Sequence, residues 1–174
     1  MEEQSTMESE YSEKKILLSK NQFIFLCFIS FGLYQIWWTY KAWKIFKARD
    51  SYDISPAWRT VFSIFFLTGL FRRIKDFANQ SGYNYNFEPI LLFIGVLAIN
   101  ALAYLPDPFW LLSIGSLTCF VPPFEALNSA LESSDDYDTE KQTGFNRNQT
   151  IVIVIGSIFW FLVSLSLLFP APIE

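Results

Sequence analysis

Long uncharged stretches alternate with short polar ones along this chain, and their lengths set the first reading. Residues 22–39 (QFIFLCFISFGLYQIWWT), 89–105 (PILLFIGVLAINALAYL) and 151–169 (IVIVIGSIFWFLVSLSLLF) carry no charge, and 109–127 (FWLLSIGSLTCFVPPFEAL) carries only Glu125. An α-helix rises about 1.5 Å per residue, so each run covers roughly 25–28 Å, close to one hydrocarbon thickness. Residues 60–71 are apolar as well but reach only about 18 Å, too short to span. The pattern predicts an all-α, polytopic integral membrane protein with about four transmembrane helices and one short amphipathic or re-entrant helix. Residues 1–20 are polar and acid-rich and read as a mobile N-terminal tail; 21–174 read as the helical membrane domain.

Local signals divide the runs further. Ser55-Pro56 is a helix start, because Ser caps free N–H groups and Pro at the first position has none to satisfy. Segments 89–105 and 109–127 form a hairpin about the turn at Pro106-Asp107-Pro108, with Gly95, Ala98 and Ala101 allowing close approach. Pro122-Pro123 is expected to kink or interrupt its second arm. Thr150 or Asn148 is expected to cap the last run. Gly32 leaves two choices for 22–39. The length favours a full span, which is the preferred reading, whereas a reversal at Gly32 would place all the basic residues on one side.

Composition narrows the classes. Charged residues make up 17% and hydrophobic ones 52%, against about 25% charge in an average soluble domain. A net charge of -4 argues against a nucleic-acid binder. The chain has no His, which removes Ser-His-Asp and Cys-His catalysis and imidazole metal sites. Cys27 and Cys119 lie in apolar runs and read as buried thiols. The acidic run 135–140 lacks the Gly and Glu of a calcium-binding loop: counted from Asp136, those positions hold Lys141 and Arg147. No nucleotide-binding, zinc-protease or nucleophile-elbow motif occurs. No catalytic residue, cofactor or metal is expected.

The charge is unevenly distributed. Lys41, Lys44, Lys47, Arg49, Arg59, Arg72, Arg73 and Lys75 place eight of the thirteen basic residues in 40–80, and the 106–108 turn has none. The positive-inside rule puts 40–80 and 128–150 in the cytoplasm and the turn outside. Lys41, Lys44 and Lys47 recur every three residues on one helical face, next to Trp37, Trp38, Tyr40 and Trp43. With Arg72 and Arg73 they are the candidate contacts to anionic lipid or a partner. The candidate intramembrane polar contacts are Gln35, Asn100, Glu125 and Arg59. Gln35 and Asn100 read as hydrogen-bonding glue between helices. Glu125 reads as the partner of Arg59, Arg72 or Arg73, with simple interfacial exposure or an ion-handling role as alternatives.

The run FGLYQIWWTYKAWKIFK, the segments ISPAWRTVFSIFF and LFRRI within 54–74, and FNRNQT with GSIFW in 145–160 resemble motifs of a group of small bacterial multipass membrane proteins without assigned activity. The resemblance implies an inner-membrane location and supplies no catalytic residue. The function expected is a non-catalytic, membrane-embedded interaction or scaffold protein with a basic, aromatic cytoplasmic face. The alternative is a small oligomeric channel or transporter. Expected partners are the bilayer, anionic lipid in particular, and a second copy or another membrane protein.

Overall fold

The computed structural model describes residues 15–50, 55–82, 86–135 and 137–169. Residues 1–14 of the acidic tail, the 51–54 part of the break before Ser55, and Asp136 lie outside the described residues. Among the described residues the fold is all-α apart from one short strand pair. In chain order it comprises β1 (Lys15–Leu17), α1 (Lys20–Ile29), α2 (Leu33–Asp50), α3 (Pro56–Val61), α4 (Ser63–Gln80), α5 (Pro89–Ala101) with a 3₁₀ turn after it (Leu102–Tyr104), a 3₁₀ helix (Phe109–Phe120) continuing into α6 (Val121–Ser133), β2 (Thr139–Lys141) and α7 (Arg147–Leu168).

Capping residues start these helices. Ser19 and Gln22 cap α1 reciprocally: Gln22 N–H donates to Ser19 Oγ at 3.2 Å and Ser19 N–H to Gln22 Oε1 at 2.9 Å. Asn146 and Gln149 repeat the device on α7, with Gln149 N–H donating to Asn146 Oδ1 at 2.9 Å. The cap is thus Asn146, not Asn148 or Thr150, because only Asn146 has a Gln three residues on to complete the pair. Ser55 and Pro56 start α3 as the sequence predicts. Pro122 and Pro123 sit in the first turn of α6, where the 3₁₀ helix gives way to α-helix and a missing N–H costs least.

The largest correction concerns 22–39. The chain turns back at Phe31 (φ 54) and Gly32 (φ 85), so α1 and α2 form a hairpin and not a span. Phe23 accordingly meets Tyr34 and Trp38 edge-on, at 6.4 and 5.6 Å between centroids. The turn meets its own hydrogen-bonding needs. Ser30 N–H donates to Leu26 O, Gly32 N–H to Cys27 O and Phe31 N–H to Phe28 O, at 2.8–3.1 Å. The Ser30 hydroxyl accepts from Tyr34 N–H at 2.9 Å.

The reversal brings Lys15 back to the same end of the molecule as the polar 134–146 segment. There β1 pairs in parallel with β2, Ile16 opposite Glu140. A two-strand ladder is marginal alone. Asn128 supports it by donating to Leu18 O at 2.9 Å, and buried Leu17 and Tyr137 anchor it. Residues 15–20 therefore belong to the folded body and not to a tail.

The core is aromatic and lies between α1, α2, α4 and α6. Phe23 stacks on Phe124 at 4.1 Å, Phe71 meets Phe120 edge-on at 5.6 Å, and Phe46 meets Phe77 at 6.3 Å. The predicted hairpin of 89–105 and 109–127 forms. A Cβ on Gly95 would lie 2.9 Å from Cys119 Sγ, so Gly sets that closeness. Both cysteines are free thiols. Among the described residues two helices, not four, are long and apolar enough to cross a membrane. Phe109–Ser133 has mean hydropathy 1.3 with 44% of its apolar window buried, and α7 has mean hydropathy 2.7 with 6% buried.

Candidate functional site

α7 packs along the α1–α2 hairpin but touches it at few points. Gly156 lies against the end of α1, where a Cβ would come within 2.2 Å of Ile29 O. One turn further, Trp160 Nε1–H donates to Phe28 O at 3.2 Å while its ring stacks on Phe28 at 4.7 Å. At the polar end Gln149 Nε2–H donates to Tyr34 Oη at 3.3 Å and exchanges hydrogen bonds with the Gln142 amide. Between these contacts a cleft of about 690 Å³ remains open at the side. Its polar end carries Lys41, Asn146, Asn148 and Gln149, and the remainder is walled by Trp37, Leu33, Val152, Ile155 and Phe159 among others.

Two further hollows lie elsewhere in the fold. A groove of about 270 Å³ runs between β1 and α2, with Lys41 and Lys44 on one side and Tyr137 and Asn128 on the other. A cavity of about 230 Å³ lies between α2, α3, α4 and α5 and gathers Gln35, Thr39, Thr60, Ser63 and Asn100. The Gln35 Oε1 atom is buried without a hydrogen-bond partner among the described residues. Asn100 donates to Val96 O of its own helix at 2.8 Å. Neither amide bridges to another described helix, contrary to the glue reading, but the fold brings both to one cavity.

The remaining candidates separate. Lys41, Lys44 and Lys47 share α2 as predicted, whereas Arg72 and Arg73 lie on α4 and line none of these three hollows. Glu125 pairs with Lys20 at 3.1 Å, with 38% and 50% of the two side chains exposed. The expected pairing with Arg59, Arg72 or Arg73 is thereby corrected. The hairpin returns Lys20 to this level, and the Arg59 guanidinium instead stacks over Trp43 at 4.6 Å and Phe66 at 5.2 Å. Sequence reasoning passed over Lys20, Tyr34, Asn146 and Gln149. The Asn146–Gln149 capping spacing was legible, but their place beside Tyr34 depends on the reversal at Gly32.

No protein family, curated protein or solved structure matches this chain.

Proposed function

We propose that this chain is a multipass integral membrane protein that acts without catalysis, as a membrane-embedded interaction or scaffold protein whose basic, aromatic inner face engages anionic lipid or a partner. The observation that carries the reading is α7: 22 residues, mean hydropathy 2.7, with only 6% of its apolar window buried. Ile158, Phe161, Leu162 and Leu168 all point outward, exposed by 56–74%. Water-soluble monomers rarely expose so continuous an apolar surface. Around a lipid-facing α7, the α1–α2 hairpin enters and leaves from one side. The N–H groups of its turn are satisfied within the turn, as a break at membrane depth requires of them. The basic stretch 40–80 supports a cytoplasmic position for that side, and the motif resemblance favours a bacterial inner membrane.

Membrane extraction and labelling test this. The protein should resist alkaline carbonate and need detergent. Cysteine placed at Asp107 should label only from outside, and at Lys15 or Asp138 only from the cytoplasm. Labelling of Lys15 from outside would overturn the re-entrant hairpin, and a detergent-free soluble monomer would overturn the whole reading.

A channel or transporter is the second reading, favoured by the Gln35–Asn100 cavity. Its named polar residues are all uncharged, which suits a neutral polar solute. Solute-induced swelling of proteoliposomes, lost in Gln35→Leu and Asn100→Leu, would establish it.

A further inference from the structure

The cleft beneath α7 has a graded lining that runs in one direction. Along α7, Asn146, Asn148 and Gln149 give way to Val152, Ile155, Gly156 and Phe159. Along the opposite wall, Lys41 gives way to Trp37, Tyr34 and Leu33. Polar groups face polar groups at one end, and the rest is mainly apolar, with the Ser30 hydroxyl bonded within its own turn. From Asn146 to Phe159 the helix rises roughly 20 Å. At the far end Phe31 meets Phe159 edge-on at 5.3 Å. The cleft is open to the side and about as long as one leaflet: half of a 30 Å hydrocarbon core, roughly 15 Å, plus a headgroup.

We propose that this cleft seats one anionic lipid molecule, with its headgroup at Lys41 and Asn148 and an acyl chain running along α7 to Phe31. The proposal rests on the membrane placement argued above. Among the described residues Lys41, whose ammonium stands over the Trp37 ring at 5.6 Å, is the one charged side chain in the lining, so the sign of charge there favours a negative headgroup. Asn146 and Gln149 already hold the cap and Tyr34, whereas the exposed Asn148 amide is directed to neither task. It supplies neutral donors beside the ammonium. A peptide strand would leave its backbone N–H and C=O groups unpaired against these apolar walls. A single amphiphile matches the polarity order, the length and the sign of charge together.

The test uses the full-length protein in mixed micelles of phosphatidylcholine and phosphatidylglycerol, with bound lipid read by native mass spectrometry. The wild type should retain one phosphatidylglycerol in preference to phosphatidylcholine, and excess inorganic phosphate should not displace it. Lys41→Gln, at an exposed position, should lower the preference about fivefold, the worth of one basic residue at an anionic surface. Val152→Trp should fill the cleft and remove bound lipid of both kinds, while Leu162→Trp on the outward face of α7 should change nothing. Circular dichroism checks that Val152→Trp folds; if it does not, Lys41→Gln still decides. Equal retention of the two lipids, unchanged binding in Lys41→Gln, displacement by phosphate, or a second chain held in place of lipid would each overturn the proposal. The membrane reading would survive all four, since it fails only if the protein is recovered soluble without detergent.

Discussion

The two long apolar helices occupy opposite surroundings. Phe109–Ser133 threads the core: Phe120, Phe124, Leu127 and Leu131 are buried, and Phe124 stacks on Phe23 at 4.1 Å. α7 is the more apolar of the two, at mean hydropathy 2.7 against 1.3, yet far less of it is buried by protein, 6% against 44%. It is held by Gln149 on Tyr34, Gly156 on Ile29 and Trp160 on Phe28 O. On the membrane placement proposed above, the difference follows from the solvent each helix meets. A helix among other helices gains by interlocking aromatic side chains. A helix in lipid gains no hydrophobic energy from leaving it, so it docks where a small residue lets backbones touch and where a donor finds a carbonyl able to accept a second hydrogen bond. Hydropathy alone ranks the pair in the opposite order to their burial.

The comparison can be broken most sharply by cutting one large side chain from each helix. Phe124→Ala should cost about 3–5 kcal/mol, measured by thermal or denaturant unfolding in detergent, because it leaves a cavity beside Phe23. Phe161→Ala, at a site 67% exposed, should stay within about 0.5 kcal/mol. Similar losses at the two sites would mean that α7 packs into protein after all.

Next in size is the backbone contact. Gly156→Ala should destabilise by about 1–3 kcal/mol and loosen α7, since the new methyl would meet Ile29 O at 2.2 Å. Gly69→Ala has open space around its Cβ and should stabilise α4 by roughly 0.5–1 kcal/mol. A harmless Gly156→Ala would remove the close docking from the account. Trp160→Phe keeps the stack on Phe28 and deletes the hydrogen bond, for about 1 kcal/mol; no change would leave Gly156 as the principal anchor.

The smallest effect belongs to Lys20–Glu125. A double-mutant cycle with Lys20→Met and Glu125→Gln should give a coupling of about 0–1 kcal/mol, because both side chains are more than a third exposed. A coupling of several kcal/mol would show that Glu125 lies deeper than its 38% exposure indicates.

Much of this architecture is legible in the amino-acid order. The hairpin of 89–127 follows from two apolar runs flanking a Pro-Asp-Pro turn, and the α3 start follows from Ser55-Pro56. The fate of 22–39 is not legible there, because length and charge give opposing readings and a single Gly in an apolar run is compatible with both. Contacts distant in sequence settle the reversal: Phe23 finds Phe124, and β1 finds β2 across more than a hundred residues. The site follows the same divide. Spacing alone places Lys41, Lys44 and Lys47 on one face, whereas the cleft exists because the hairpin turns, Gly156 admits Ile29, and Phe31 reaches Phe159.

By itself the sequence determined the helical class, the apolar runs, the helix start at Ser55 and Pro56, the basic face of α2, and the absence of imidazole chemistry. These depend on local periodicity, on backbone donors within a turn, and on which atoms are present. Only the tertiary structure decided that 22–39 folds back, that Glu125 meets Lys20 and not an Arg, that Gln35 and Asn100 share one cavity, and that α7 leaves an open cleft at its side. Each of these depends on which residues meet across long stretches of chain, and an uncharged run reads the same whether its neighbour is a helix, a cavity or lipid.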